Sequence, residues 1–206
     1  MKFYLSSFRL GNQATKLKIL IPHGHIAYIP NALDFTNVDQ TRRDAHIKQD
    51  LDSLRELGLR VETLNLHDYF GQQAALQAKL TEIGAIFVSG GNVFILRQAM
   101  KLSGLDVILT QSLLPKDVLY AGYSAAGCVL SPNLDAYKIV DDATETPYPE
   151  LPEVIWTGLN LIDFAFLPHW DSDHPESATI TQAVEYCQQH NLPYKTLRDG
   201  EVLIIE

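Results

Sequence analysis

The sequence predicts an α/β fold in which a mostly parallel sheet is covered by helices on both faces. Short apolar runs alternate with segments of helical periodicity, from Phe3–Leu5 at the start to Val202–Ile205 at the end. Continuous apolar runs such as Gly84–Val88 are typical of parallel strands buried on both sides. Because no linker, internal repeat or low-complexity tract interrupts this alternation, we expect a single α/β domain over residues 1–206.

Strands are predicted wherever a short apolar run is bounded by polar or turn-forming residues. Leu17–Ile21 (LKILI) is expected to be one of them, with Pro22–His25 as the loop at its carboxyl end. His23 and His25 lack a third ligand at metal-binding spacing, so loop histidines are favoured over metal ligands. The other predicted strands are Leu59–Leu66, Val118–Tyr123, Leu161–Leu167 and Tyr194–Leu197.

Helices are predicted where apolar residues recur every three or four positions. In Ala45–Leu57 the apolar residues Ile47, Leu51 and Leu54 have this spacing, and Gly58 ends the helix. In the last predicted helix Cys187 falls on the buried face, so packing explains it better than chemistry. The remaining helices are Gln72–Glu82, one opening at Phe94, Leu105–Leu113 and Ser177–His190, whereas Ser131–Pro152 is expected to be irregular.

Composition narrows the class of protein. The 206 residues are 46% apolar and 20% charged and carry a net charge of −9 without a Lys/Arg block. Nucleic acids and anionic membranes are therefore poor partners, and no apolar run approaches membrane-spanning length. Two cysteines make neither a disulfide framework nor a metal cluster, and the N-terminus lacks a signal-peptide core. We expect a cytoplasmic protein. The sequence does not determine the oligomeric state, and a homodimer is the assembly we consider.

The stretch VLYAGYSAAGCVL, residues 118–130, combines a strand, a tight turn and the start of a helix. A strand that turns sharply into a helix with a serine at the corner, here Ser124, is how a serine nucleophile is presented. The helix N-terminus would place free N–H groups where an oxyanion develops. The alternative is that Gly122-Tyr123-Ser124 is only a turn with a capping serine.

A second informative junction is Gly90-Gly91-Asn92, between a predicted strand and a predicted helix. Two glycines allow a ligand to approach the backbone closely and leave N–H groups free to donate. A phosphate cradle is one interpretation and an ordinary glycine-rich turn is the other. Neither a dinucleotide-binding nor a P-loop motif is present to favour the cradle.

His169 directly follows a third apolar strand. Because the carboxyl ends of parallel strands share one edge, Gly91, Ser124 and His169 are expected to converge. A histidine can then activate the serine, and the backbone N–H groups of Gly91 and Ala125 can bind the oxyanion. The histidine also needs an orienting carboxylate. The sequence does not choose among Asp135, Asp141, Asp142, Glu145 and Asp171.

Three motifs in order, SGGNVFIL, GYSAAGCVLSP and FAFLPHW, resemble the peptidase E (alpha-aspartyl dipeptidase) family of serine peptidases, in the cyanophycinase superfamily. The likeness extends to the closing DGEVLIIE. It implies a three-layer α/β/α sandwich, similar to class I glutamine amidotransferases and flavodoxin-like in form. It also implies hydrolysis of short peptides by a Ser-His-acid triad, without a metal or other cofactor.

Transferred motif by motif, the resemblance makes Ser124 the nucleophile and His169 the base. Gly91 and Ala125 become the oxyanion donors. The family's acid lies in an Asp-containing loop after the nucleophile helix, which here points to Asp142, with Asp141 as the alternative.

The sequence departs from the family pattern at two places. Ala126 stands where the nucleophile motif G-x-S-A-G usually ends in glycine, and alanine remains small enough for close packing. Family members also carry basic residues after the catalytic histidine, whereas WDSDHPESATITQ contains no Lys or Arg. An acidic side chain would meet Asp171, Asp173 and Glu176 there, so we expect Asp-X dipeptides to be poor substrates. Functions left open are a non-catalytic module that binds a small ligand or a partner protein, and a small-molecule esterase or amidase.

Overall fold

A computed structural model describes residues 1–111, 113–114 and 118–206. Six strands form the central sheet in the order β3-β2-β4-β5-β1-β8. All neighbours in it are parallel except β8, which runs antiparallel to β1. The strands β6 and β7 form a separate parallel pair. The strand bounds are β1 Lys2–Ser6, β2 His25–Ile29, β3 Arg60–Thr63, β4 Ala85–Val88, β5 Leu119–Tyr123, β6 Ala165–Leu167, β7 Tyr194–Thr196 and β8 Val202–Ile205.

Helices cover both faces of the six-stranded sheet. Their bounds are α1 Ala14–Leu20, α2 Gln40–Glu56, α3 Gln73–Ile83, α4 Val93–Ser103, α5 Leu105–Thr110, α6 Ala125–Cys128 and α7 Ser177–Gln189. Short 3₁₀ turns occupy Gly11–Gln13, Pro22–Gly24, Asn31–Leu33, Leu66–Tyr69 and Asp135–Ile139.

Alternation along each strand separates the two sides of the core. In β1, Tyr4 packs with Leu17 of α1 and Leu54 of α2 on one face. Leu5 belongs to the larger cluster on the other face, with residues of α3 to α7. Since successive side chains of a strand point to opposite faces, this division makes three layers. The predicted α/β/α sandwich with a mostly parallel sheet is confirmed.

The prediction of a strand at Leu17–Ile21 is wrong, because this segment lies mostly in α1. Leu17 and Leu20, three positions apart, are buried on one side of the helix, while Ile19 is 72% exposed. A buried strand would also have to enclose the charge of Lys18, which the helix leaves in solvent. The strand is instead β2, whose sequence HIAYI is uncharged and rich in β-branched and aromatic residues.

His25 is consequently the first residue of β2 and lies at the amino end of the strand. Its Nδ1 accepts a hydrogen bond from Arg60 Nη2 at 2.6 Å, and its Nε2 lies 3.0 Å from Glu62 Oε1. The histidine that was expected in a loop at the ligand-binding edge is a partner of strand β3.

Other boundaries shift for local reasons. Helix α2 begins at Gln40, earlier than predicted, because the Asp39 carboxylate accepts from Arg42 N at 3.1 Å and caps it. The predicted strand Leu161–Leu167 keeps only its last three residues. The helix predicted over Leu105–Leu113 ends at Thr110, and Ser112 lies outside the described residues.

Within the described ranges, no helix has both the length and the apolar character needed to cross a lipid bilayer.

Candidate active site

Ser124 occupies a sharp turn between β5 and α6. Its backbone has φ 51° and ψ −114°, a conformation that non-glycine residues rarely adopt. Its carbonyl accepts from Gly127 N at 2.8 Å, which closes the first turn of α6. Strain of this kind persists only where surrounding structure enforces it, and it is typical of a nucleophile elbow.

The turn requires small residues on both sides. A Cβ on Gly122 would lie 2.5 Å from Cβ of Ala126 and 2.5 Å from the carbonyl oxygen of Val88. Ala126 fits because the residue opposite it on β5, Gly122, has no side chain. The alanine at the end of the nucleophile motif is therefore accommodated without opening the elbow.

Gly91 lies beside this turn with φ 139°, and a Cβ there would stand 2.3 Å from the carbonyl oxygen of Ala32. Asn92 caps α4, its Oδ1 accepting from Phe94 N at 2.8 Å. In the described part of the chain the N–H groups of Gly91 and Ala125 have no acceptor. Both are therefore available as donors, as an oxyanion hole requires.

His169 is buried, and its ring is held by Asp199. Its Nδ1 lies 2.6 Å from Asp199 Oδ1, which fixes the proton on Nδ1 and leaves the Nε2 lone pair free. Ser7 reinforces the pair, because its Oγ accepts from His169 N at 2.7 Å and donates to Asp199 Oδ1 at 2.8 Å. The arrangement is that of a histidine base with its orienting carboxylate.

The surroundings favour the neutral form of His169. Burial, and after it the neighbouring His174, lower its pKa to about 4, although Asp199 acts in the opposite direction. The two histidine rings stack with centroids 3.7 Å apart. A neutral imidazole at ordinary pH is the state that can accept a proton from a hydroxyl.

The structure does not pair Asp142 or Asp141 with His169, which corrects the expected acid. The Asp142 carboxylate is exposed and accepts from Thr144 N at 2.8 Å within its own turn. Asp141 Oδ2 accepts from Val93 N at 2.8 Å, at the start of α4. Burial of the Asp141 carboxyl raises its pKa to about 7, against the lowering effect of that hydrogen bond. Both residues brace the Gly91–Asn92 junction.

The other candidate acids also have different positions. Glu145 Oε2 accepts from Thr36 Oγ1 at 2.6 Å, and Asp171 pairs with Arg198. Asp135 begins a 3₁₀ turn.

Sequence reasoning missed Asp199 and Ser7. Asp199 follows the predicted strand Tyr194–Leu197, but only the pairing of that strand in the structure shows which residue it meets. Thr196 at the end of β7 is in register with Leu167 at the end of β6. Residues that follow two paired parallel strands lie close together, so the Asp199-Gly200 turn was placed to meet His169. No comparable pattern marks Ser7, whose role depends on β1 lying beside β8.

A cavity of about 500 Å³ opens over these groups, and Gly91, Ser124 and His169 line it together. Their position at strand ends predicts this convergence. Arg42 and Arg43 of α2 also line the cavity, and Arg43 is bound to Asp34 at 2.6 Å. The apolar part of the wall consists of Phe8, Leu33, Phe35, Val38, Tyr123 and Pro175.

Three side chains in the cavity are of types that commonly bind metal ions. His169, His174 and Glu176 each offer a ligand atom, and these atoms lie within 4.8 Å of one another. The two imidazole planes are nearly parallel, at 8°, so their in-plane lone pairs do not converge on one point. His174 Nδ1 also accepts from Glu176 N at 3.2 Å. A metal would need one ring to rotate out of the stack.

A parallel α/β sheet with a serine elbow and an acid-oriented histidine at its carboxyl edge defines the class of serine hydrolases. The sequence profile of Peptidase family S51 matches residues 14–206. The chain belongs to this family.

Curated relatives agree with this assignment. An uncharacterised peptidase of Listeria monocytogenes is 33% identical over 135 residues, covering 65% of this chain and 62% of the relative. The probable alpha-aspartyl dipeptidase of Drosophila melanogaster is 29% identical over 182 residues, covering 85% and 66%. Peptidase E of Streptomyces coelicolor is 29% identical over 137 residues, covering 63% and 51%. The chain thus spans about half to two thirds of these relatives.

The fold itself is shared with a crystal structure of a candidate peptidase E protein from Listeria monocytogenes. It has a TM-score of 0.74 at 23% identity, covering 100% of this chain and 98% of that one.

Proposed function

We propose that this protein is a serine peptidase that hydrolyses short peptides in the manner of a dipeptidase. One observation carries the proposal: His169, with its proton fixed on Nδ1 by Asp199, shares a cavity with Ser124 in a strained elbow. Membership of Peptidase family S51 supports it.

In the proposed reaction the Ser124 hydroxyl attacks the scissile carbonyl carbon while His169 Nε2 takes its proton. The C–N bond of the tetrahedral intermediate then breaks, and His169 returns the proton to the leaving amine. Water attacks the acyl-enzyme with the same histidine as base, and the proton goes back to Ser124 as the acid product leaves. Asp199 stabilises the imidazolium that forms in each half-reaction.

The developing oxyanion is assigned to the N–H groups of Gly91 and Ala125. Neither has an acceptor in the part of the chain that the structure describes. Donors that are already oriented stabilise the transition state without reorganisation, and one such donor contributes about 10²–10³ in kcat.

Specificity for Asp-X dipeptides is not part of this proposal. The segment after His169 supplies His174 and Glu176 to the cavity but no lysine or arginine, while Asp171 is paired with Arg198. Much of the cavity wall is apolar. Dipeptides that begin with a neutral residue fit these surroundings better than dipeptides that begin with aspartate.

Labelling with a fluorophosphonate, followed by intact mass, tests the proposal. The native protein is expected to gain one adduct, because the reagent needs a serine activated by its base, and Ser124→Ala is expected to gain none. His169→Gln separates activation from mere accessibility and should label far more slowly. An unlabelled native protein would favour a non-catalytic binding module instead.

A further inference from the structure

The carboxylate of Glu176 is left without a cation beside the proposed reaction centre. Its Oε2 lies 3.9 Å from His169 Nε2, the atom that must face Ser124. Among the described residues, neither a lysine nor an arginine pairs with it, and its carboxylate accepts no hydrogen bond. The triad does not need this acid, because Asp199 already orients the histidine.

The position of Glu176 is fixed by the fold. It directly precedes α7, where its backbone carbonyl accepts from Ile180 N at 2.9 Å and its N–H donates to His174 Nδ1 at 3.2 Å. The side chain is 41% exposed, and the residue lines the cavity that holds Ser124. Its carboxylate therefore faces the space that a substrate would fill.

The covalent geometry of a peptide indicates which group of the substrate would contact this carboxylate. The α-nitrogen of a residue lies two bonds from its carbonyl carbon, at about 2.5 Å. When that carbonyl is attacked, His169 Nε2 is within hydrogen-bonding reach of the serine oxygen and then of the leaving nitrogen. The α-nitrogen then lies a few ångströms from Nε2, within reach of an acceptor such as Glu176 Oε2.

We propose that Glu176 binds the free α-ammonium group of the residue whose carbonyl Ser124 attacks. The inference rests on the proposed function and adds to it the side chain that recognises the amino terminus of the substrate.

Electrostatics supports the assignment. Burial raises the pKa of Glu176, opposed by His174 and reinforced by Asp199. No lysine or arginine among the described residues pairs with this carboxylate, and an incoming ammonium would do so. A charge-assisted hydrogen bond of this kind is stronger than a neutral one.

Calorimetric binding to the Ser124→Ala protein tests the proposal without depending on turnover. The two ligands are Ala-Leu and propanoyl-Leu, which differ only in the α-amino group. Ala-Leu is expected to bind about 10- to 100-fold more tightly. Adding Glu176→Gln should bring this ratio close to one by weakening Ala-Leu alone.

Asp173→Asn is the matched control, because Asp173 lies in the same loop, carries the same charge and is exposed outside the cavity. It should leave the ratio unchanged. Equal affinities of the two ligands, a ratio that survives Glu176→Gln, or no binding of either ligand would overturn the role of Glu176. Failure of the proposed chemistry would appear separately, as an absence of fluorophosphonate labelling in the native protein.

Discussion

Ser7 shows how a small side chain outside the cavity can organise the site. It contacts both the backbone of His169 and the carboxylate of Asp199, so it connects the end of β1 to both members of the proposed catalytic pair. Such supporting hydrogen bonds keep a base in its productive orientation. At this scale the site depends on a few polar contacts of 2.6–2.8 Å.

Two variants test which carboxylate orients His169. Asp199→Asn should lower kcat by about 10³–10⁴-fold, because the amide no longer holds the histidine tautomer. Asp142→Asn should change kcat by less than about threefold, since that carboxylate only accepts from Thr144. Steady-state rates on one dipeptide suffice. The reverse order of effects would restore Asp142 as the acid.

The neutral state of His169 determines the acid limb of activity. Its pKa of about 4 lies below the ordinary value, so the base stays unprotonated and active as the pH falls from 8 to 5. Activity should be half lost only near pH 4. The measurement is the rate of fluorophosphonate labelling of Ser124 against pH, because this reagent has no α-amino group to titrate, with circular dichroism confirming that the protein stays folded. A midpoint at 6.5 would contradict the environment described for this histidine.

At the scale of elements, a buried carboxylate joins α2 to the sheet beneath the nucleophile. Asp50 is 3% exposed and pairs with Arg9. It also accepts from the hydroxyls of Tyr28 and Tyr123, each at 2.8 Å. Tyr123 immediately precedes Ser124, so this network anchors the strand that carries the elbow.

Removing that carboxylate should be costly. Asp50→Ala leaves one cation and two hydroxyls without their partner and should destabilise the fold by about 3–5 kcal/mol. Asp52→Ala is the control on the same helix, where only exposed pairs with Lys48 and Arg55 are lost, and it should change the stability far less. Urea unfolding of both variants gives the comparison, and equal losses would show that the network contributes little.

Particular elements show which parts of the fold and of the site can be predicted from the sequence. Apolar runs that are continuous and uncharged, such as those of β4 and β5, are predicted well because burial on both faces leaves them no alternative. The strand prediction for Leu17–Ile21 is wrong because a run of so few residues cannot distinguish helical from strand periodicity. Ser124 and His169 stand out because each follows a strand directly. Choosing Asp199 requires knowing which strands pair, and that pairing is set by tertiary packing.

For the whole molecule, charge and cavity lining bear on substrate choice. A net charge of −9 disfavours the approach of an acidic peptide, and Glu176 adds a negative charge within the cavity. We expect kcat/KM for Asp-Ala to be about tenfold or more below that for Leu-Ala.

Rates on a panel of dipeptides measure the ratio of kcat/KM for Asp-Ala to that for Leu-Ala. Arg42→Gln is the companion variant, because Arg42 lines the cavity and has no ion pair among the described side chains. The ratio should not change in that variant. A clear preference for Asp-Ala that disappears with Arg42→Gln would show instead that α2 supplies the missing cation.

The division of the strands into two sheets has a consequence for the enzyme on warming. Ser124 follows a central strand of the large sheet, whereas His169 and Asp199 follow β6 and β7 of the small one. The proposed nucleophile and base therefore meet at the boundary between the two sheets. A local opening of the small sheet would separate them while the large sheet stays intact. Heat inactivation would then precede melting of the secondary structure, and catalysis itself would report on how firmly the two sheets are docked.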